Sequence, residues 1–251
     1  SVRAMTGERV VLWHLAMSHY NEKARWALEY KRVPHARRAV MPGVHIQVAQ
    51  RLGGRQTMPV LVIGDQVFPD STEIVAALEE RWPEPPLYPG DPVERAEALA
   101  LEEHLDEVLA PAIRQVAYQR LLQDPDAAAA FLGFGGPPLR TPLVRAMMGP
   151  LRTAIRSTFG VPEPGDPGPR EAVLAVLDEL GERLDGREFL VGDRFSVADL
   201  SACSYLSLLV AADAMPAAPP LPDIFADLRA AAMQRPAGAW ASQTYRAWRT
   251  A

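Results

Sequence analysis

The stretch "PVLVIGDQVFPD" at residues 59–70 holds two short β-branched, apolar runs on either side of Gly64-Asp65. Val and Ile suit a pleated surface and a Gly-Asp pair suits a tight turn, so the segment reads as a β-hairpin. It runs directly into "STEIVAALEERW", where Ile74, Val75, Leu78 and Trp82 recur at three-and-four spacing, the signature of an amphipathic helix. Upstream, "RVVLWHL" at 9–15 suits a buried strand, and 21–31 follows with the helix formers Glu22, Lys23, Ala24, Ala27 and Leu28. Residues 35–40 read as a second strand and 45–52 as a short helix. The predicted order is strand, helix, strand, helix, hairpin, helix.

A second composition begins after "PEPPLYPGDP" at 83–92, whose five prolines mark a linker with the boundary near Pro86. Residues 93–122 are almost uninterrupted helix formers, and 170–184 places Val173, Leu174, Leu177, Leu180 and Leu184 on one side of another helix. An α/β domain over 8–85 is thus followed by an all-helical domain over 93–251. Residues 123–170 carry nine prolines and seven glycines, which predicts an insertion with loops, with short helical pieces in "LVRAMMGPLRTAIRST". In "FLVGDRFSVADLSACSYLSLL", Ser196 and Asp199 have capping-box spacing and Phe195 and Leu200 that of a hydrophobic staple, so a buried helix starts at Ser196. Cys203 in its interior reads as a small buried hydrophobe.

The 251 residues are 48% hydrophobic and 23% charged, enough for one large domain or two modest ones. A net charge of −5 with interspersed signs gives no general attraction to nucleic acid or to an anionic membrane. One cysteine forms no internal disulfide, and neither a leader nor an eighteen-residue apolar run is visible, so a cytoplasmic protein is predicted. The first seven residues read as a disordered start. The five histidines show no i,i+4 pairing and no cysteine company, which predicts no metal site.

Three segments in this order, "SHYNEKARWALE" at 18–29, "TMPVLVIGDQVFPDSTEI" at 57–74 and "FLVGDRFSVADL" at 189–200, carry a resemblance. The chain resembles the soluble glutathione transferase superfamily, in which a thioredoxin-like N-terminal domain precedes an all-helical one. The insertion lies outside that pattern. The resemblance implies glutathione as co-substrate, no metal, and assembly as a homodimer, for which the charged helix at 93–108 is a candidate surface. It also implies that the Met58-Pro59 bond is cis, so that the Met58 backbone pairs with the cysteinyl unit of glutathione. Asp70 and Ser71 open a helix, whose free amide groups suit a carboxylate. By resemblance they receive the γ-glutamyl end, with Asp70 meeting the ammonium, although glutamate is commoner there. Asp70 as a plain helix cap, with Glu73 completing a capping box, is the other reading and is compatible with the first.

Ser18 divides in the same way. Serine before a helix is a favoured N-cap, whereas in related transferases this position faces the glutathione sulfur. A free thiol has a pKa near about 8.5, and a hydroxyl donor at a helix N-terminus favours the thiolate. Tyr20 and His14 are the competing polar groups, and His19 stands where many members have proline. With no cysteine at position 18 the chain lacks the nucleophile for a mixed disulfide, which favours conjugation over thiol exchange. Arg25 and Trp26 read as structural, and Arg37, Arg38, Arg55 and Gln56 are candidates for the glycine carboxylate. The expected function is addition of the glutathione thiolate to a small hydrophobic electrophile held against the helical domain. The alternatives are a non-catalytic binding or scaffold protein of the same fold and the use of another low-molecular-weight thiol. The insertion either folds over the electrophile pocket, contributing Phe131, Phe134 or Met147 to its wall, or packs away from it.

Overall fold

The computed structural model describes residues 8–53, 55–134, 137–215 and 223–249; the first seven residues and Gly135 at the end of "FLGFG" lie outside this set. The N-terminal elements are β1 (Val10–His14), α1 (His19–Tyr30), β2 (Ala36–Ala39), α2 (Val44–Gly53), β3 (Val60–Ile63), β4 (Gln66–Phe68) and α3 (Ser71–Arg81). The sheet order is β2-β1-β3-β4, with β1 parallel to β2 and antiparallel to β3, and β3 antiparallel to β4. Gly64 turns the hairpin at φ +57°, a conformation that a side chain resists. Leu12, Leu61 and Ile63 bury one sheet face against α1 and α3, while Val60 and Met58 pack with Ala49 of α2 on the other. This is the thioredoxin-like arrangement.

The helical domain contains α4 (Pro92–His104), α5 (Ala110–Leu121), α6 (Pro125–Gly133), α7 (Arg140–Ala146), α8 (Met148–Phe159), α9 (Gly168–Leu184), α10 (Val197–Val210), α11 (Ala226–Met233) and α12 (Pro236–Trp248). The helix expected over 93–122 is interrupted by a π-helical turn, Leu105–Leu109. Every residue of α10 is buried, Cys203 included. Asp199 takes Ser196 N–H at 2.8 Å and Leu190 N–H at 2.8 Å, so the start of α10 is fastened to the preceding loop. Burial raises the Asp199 pKa to about 6. The interface of α1 with α10 is the most extensive between any two elements, and one apolar core runs through both domains. Among the described residues no helix is long and apolar enough to cross a membrane.

The expectation of a loop-rich insertion over 123–170 is corrected. Most of it is α6, α7 and α8, because Pro125, Pro142, Pro150 and Pro169 all stand within the first three positions of their helices. There the backbone N–H has no intrahelical acceptor, so proline begins a helix without breaking it. Phe131, Leu132, Val144, Met148 and Ile155 are buried. Side chains of α5 hold the segment that follows: Gln115 Nε2 donates to the carbonyls of Phe159 and Gly160 at 3.2 and 3.1 Å, and Gln119 Nε2 to those of Glu163 and Asp166 at 3.0 and 3.1 Å.

Candidate functional site

The loop between β1 and α1 ends at Ser18, whose extended backbone (φ −88°, ψ 131°) makes it the N-cap of α1. Its carbonyl accepts from Glu22 N–H at 3.0 Å, but its hydroxyl makes no capping bond. Ser18 lines a cleft of about 130 Å³ between the domains. Met17, Ser18, Tyr20, His45, Thr57 and Met58 line it from the thioredoxin-like side, and Ile113, Arg114, Tyr118, Phe131, Phe159 and Phe225 from the helical side.

Two buried side chains hold this loop. Asn21 accepts from Leu15 N–H at 3.1 Å and donates to the Met58 carbonyl at 3.3 Å, tying the Ser18 loop to the cis Met58-Pro59 bond. Arg25 donates to Glu22 at 2.8 Å and to the Ser18 carbonyl at 3.3 Å, and it lies 3.0 Å from His14 Nδ1. Glu22 also accepts from Tyr245 at 2.7 Å and Arg249 at 2.6 Å, so the last helix is anchored to the same cluster. These arginines lower the Glu22 pKa against the opposing effect of burial.

The remaining sequence-derived residues fall into place unevenly. Tyr20 lines the cleft; its hydroxyl donates to the Asp106 carbonyl at 3.4 Å, in the π-helical turn, and burial raises its pKa to about 12. His14 is not in the cleft lining but is buried against Arg25, with its pKa lowered to about 4 by burial and by that charge. The structure thus places it away from the cleft that Ser18 and Tyr20 line. Pro59, Asp70 and Ser71 do not line this cleft. Asp70 is the N-cap of α3 and accepts from Thr72 N–H at 2.8 Å. The anticipated capping box does not form, because Glu73 accepts instead from Arg55 at 2.5 Å, with Asp70 3.9 Å from the same guanidinium. Of the other candidates for the glycine carboxylate, Arg37 pairs with Glu29 and Arg38 lies 5.4 Å over the Trp13 ring. Trp26 is buried and donates to the Trp248 carbonyl at 3.2 Å. Phe131 reaches the cleft, whereas Phe134 and Met147 do not.

Sequence reasoning missed His45, Arg114, Tyr118, Phe159 and Phe225. Arg114 and Tyr118 are four residues apart, as are Ile113 and Ala117, so α5 turns one face to the cleft; the spacing in "AIRQVAY" puts them on one helix face without saying what that face meets. His19 also lines the cleft, stacked on Tyr20 at 4.7 Å, and burial with the Arg114 charge lowers its pKa to about 3. Among the described residues no group of three or more histidine, cysteine or acidic side chains converges as a metal site requires.

A thioredoxin-like domain packed on a helical bundle, with a cleft between them at the mouth of α1, defines the class of fold. The family model described as glutathione S-transferase, N-terminal domain, matches residues 12–86, and that of the glutathione S-transferase C-terminal domain matches residues 145–222. The chain belongs to the glutathione S-transferase superfamily. The C-terminal match includes the second part of the segment that had looked like an insertion. Among solved structures, glutathione transferase F7 from Populus trichocarpa is 19% identical, with a TM-score of 0.64 over 94% of this chain and 93% of that one. FzlA from C. crescentus is 25% identical, with a TM-score of 0.56 over 83% and 81%. A theta class glutathione S-transferase from Xanthomonas axonopodis pv. citri, with glutathione bound, is 20% identical, with a TM-score of 0.56 over 98% and 99%. No curated protein sequence matches the chain.

Proposed function

We propose that the protein is a glutathione transferase that adds the glutathione thiolate to a small electrophile. The observation that carries this reading is that the Ser18 hydroxyl is left unused by the helix it caps while Ser18 lines the interdomain cleft opposite an apolar wall. The hydroxyl donates to the sulfur, and the N-terminus of α1 favours its negative charge. The Met58 backbone pairs with the cysteinyl unit, and Asp70 and Ser71 at the start of α3 receive the γ-glutamyl end. The sulfur forms a bond to the electrophilic carbon, the leaving group departs with the bonding pair, and the thiol proton passes to solvent. Glutathione serves as co-substrate without a metal, the working unit is a homodimer, and the compartment is the cytoplasm.

Glutathione at about 100 times its dissociation constant is expected to add about 2.7 kcal/mol, raising the melting temperature by about 5–10 °C. Turnover of a generic aromatic electrophile is expected alongside. No thermal shift at millimolar glutathione would overturn the reading, and a shift without turnover of any electrophile would leave a binding protein in its place. Light scattering that gives the mass of a single chain would remove the dimer.

A further inference from the structure

The cleft at Ser18 is small, aromatic and unbalanced in charge. Its volume of about 130 Å³ is close to that of an apolar cavity of about 150 Å³ known to take up benzene, so it can seat one six-membered ring whose substituents reach into its open side. Phe131, Tyr118, Phe159, Leu208 and Phe225 supply an apolar wall from four helical-domain elements and the segment before α11. Ring faces and edges of this kind stack on an aromatic ligand better than on an aliphatic one.

Arg114 is the charged exception. Its guanidinium lies 4.4 Å over the Phe159 ring and 5.6 Å over that of Tyr20, held between the helical domain and α1. Its Nε is buried with no hydrogen-bond partner, while the guanidinium hydrogen-bonds the Tyr20 side chain. Among the described residues no Asp or Glu lines the cleft and Arg114 forms no ion pair; Asp106 and Asp70 act on Tyr20 from outside the lining. The other titratable groups of the wall do not offset it: His19 is neutral at physiological pH, and Tyr20 and Tyr118 keep their protons. Contact with the Phe159 and Tyr20 rings and the hydrogen bond to Tyr20 restrict the guanidinium, which lowers the entropy lost when its free donors engage a ligand. A fixed, partly desolvated guanidinium without a counterion favours a planar anion that can take two of its N–H groups.

We infer that the cleft selects an aromatic electrophile carrying an anionic group, with Arg114 as the residue that binds the anion. This rests on the transferase reading for the word electrophile, whereas selection of an aromatic anion stands on the cleft alone. The leaving group then sits towards Ser18 and the anionic group towards α5, so Arg114 orients the ring for attack as well as retaining it.

The test pairs 4-chloro-3-nitrobenzoate with its methyl ester, which differ by one charge. In each case glutathione sulfur bonds to the ring carbon that bears chlorine, chloride departs with the bonding pair, and the thiol proton goes to solvent. With each kcat/KM divided by the uncatalysed rate constant for the same compound, wild type is expected to prefer the acid. Arg114→Gln should reduce the acid-to-ester ratio at least tenfold, and Arg114→Lys should recover part of it, since the charge returns without the fork. A second arm needs no turnover: calorimetric titration of the unreactive 4-nitrobenzoate and its methyl ester into protein without glutathione, with melting curves as a check that each variant folds. Tighter binding of the acid by wild type, lost in Arg114→Gln, supports the inference even if no electrophile is turned over, in which case only the transferase reading fails. Equal binding of acid and ester by wild type overturns it. An acid-to-ester ratio unchanged by Arg114→Gln also overturns it, and would assign the guanidinium to the glutathione thiolate instead.

Discussion

Arg25 donates a hydrogen bond to the Ser18 carbonyl at 3.3 Å while its Nε holds Glu22 at 2.8 Å. A buried ion pair inside α1 thereby sets the backbone of Ser18, which lines the cleft. Arg25→Ala removes one partner of a buried charge, for which losses of about 3–5 kcal/mol are typical. Because Glu22 keeps Arg249 and Tyr245, the expected loss lies at the low end, about 3 kcal/mol. Urea unfolding read by circular dichroism measures it, and a loss below about 1 kcal/mol would mean that the cluster is not a unit.

Ser18→Ala separates the two roles open to this serine. Since its hydroxyl makes no capping bond, the variant should unfold within about 0.5 kcal/mol of wild type, the range of a neutral surface change. A hydrogen bond to a charged group contributes about 1.5–3 kcal/mol, so kcat/KM with an aromatic electrophile should fall about ten- to a hundredfold. Stopped assays above pH 9, where free glutathione is largely thiolate by itself, should narrow that gap. A stability loss of about 1–2 kcal/mol, as for a lost cap, with activity intact would reverse the assignment.

Lys23 in α1 is fully buried and pairs with Glu102 in α4, while its Nζ also lies 3.3 Å from Thr72 Oγ1 and 3.4 Å from the Tyr205 hydroxyl. Glu102→Ala leaves that ammonium stranded between the domains and should cost about 3–5 kcal/mol. The double variant Lys23→Met/Glu102→Leu removes both charges and should recover most of the loss, since apolar replacement of a buried pair is often neutral. Thermal melts of the two variants side by side decide this, and equal melting temperatures would contradict it.

Acidification should weaken the fold through His14 and His19. Their folded pKa values, about 4 and about 3, lie below the 6.5 usual for histidine. Between pH 6.5 and 4 the unfolded chain takes up protons at these sites and the folded chain does not, so stability falls as pH falls. At pH 5 each contributes at most about 2 kcal/mol of loss. Asp199 acts in the opposite sense, because its folded pKa of about 6 exceeds the 3.8 usual for aspartate and protonation below pH 6 favours the fold. The urea midpoint of His19→Phe should therefore fall less between pH 7 and 5 than that of wild type; parallel curves would refute the buried, neutral state of His19.

Most of the architecture was legible in the sequence, because hairpin, amphipathic helices and caps are set by residues within a few positions of one another. The 59–70 hairpin, the α3 stripe of Ile74, Val75 and Leu78, and the Ser196–Asp199 box all form where local pattern put them. The segment 123–170 was misread because composition counts prolines, while their effect depends on position: Pro125 and Pro150 begin helices that a count treats as broken. The candidate site divides along the same line. Ser18, Tyr20 and Met58 could be named from motifs near the β1–α1 turn and the hairpin, but whether the Ser18 hydroxyl is free was settled by backbone geometry at the helix end. Arg25 and Asn21 bind that loop through partners up to 37 residues away in sequence, as the Asn21–Met58 bond illustrates. Arg114 belongs wholly to the tertiary structure. Nothing in "AIRQVAY" distinguishes it from the other arginines, and it becomes the lone charge of an aromatic cleft only because packing brings Tyr20 and Phe159 onto its guanidinium and brings no carboxylate with them. Local sequence determines which elements form, whereas the electrostatics of a cleft depend on which side chains meet across chain distances that periodicity does not encode.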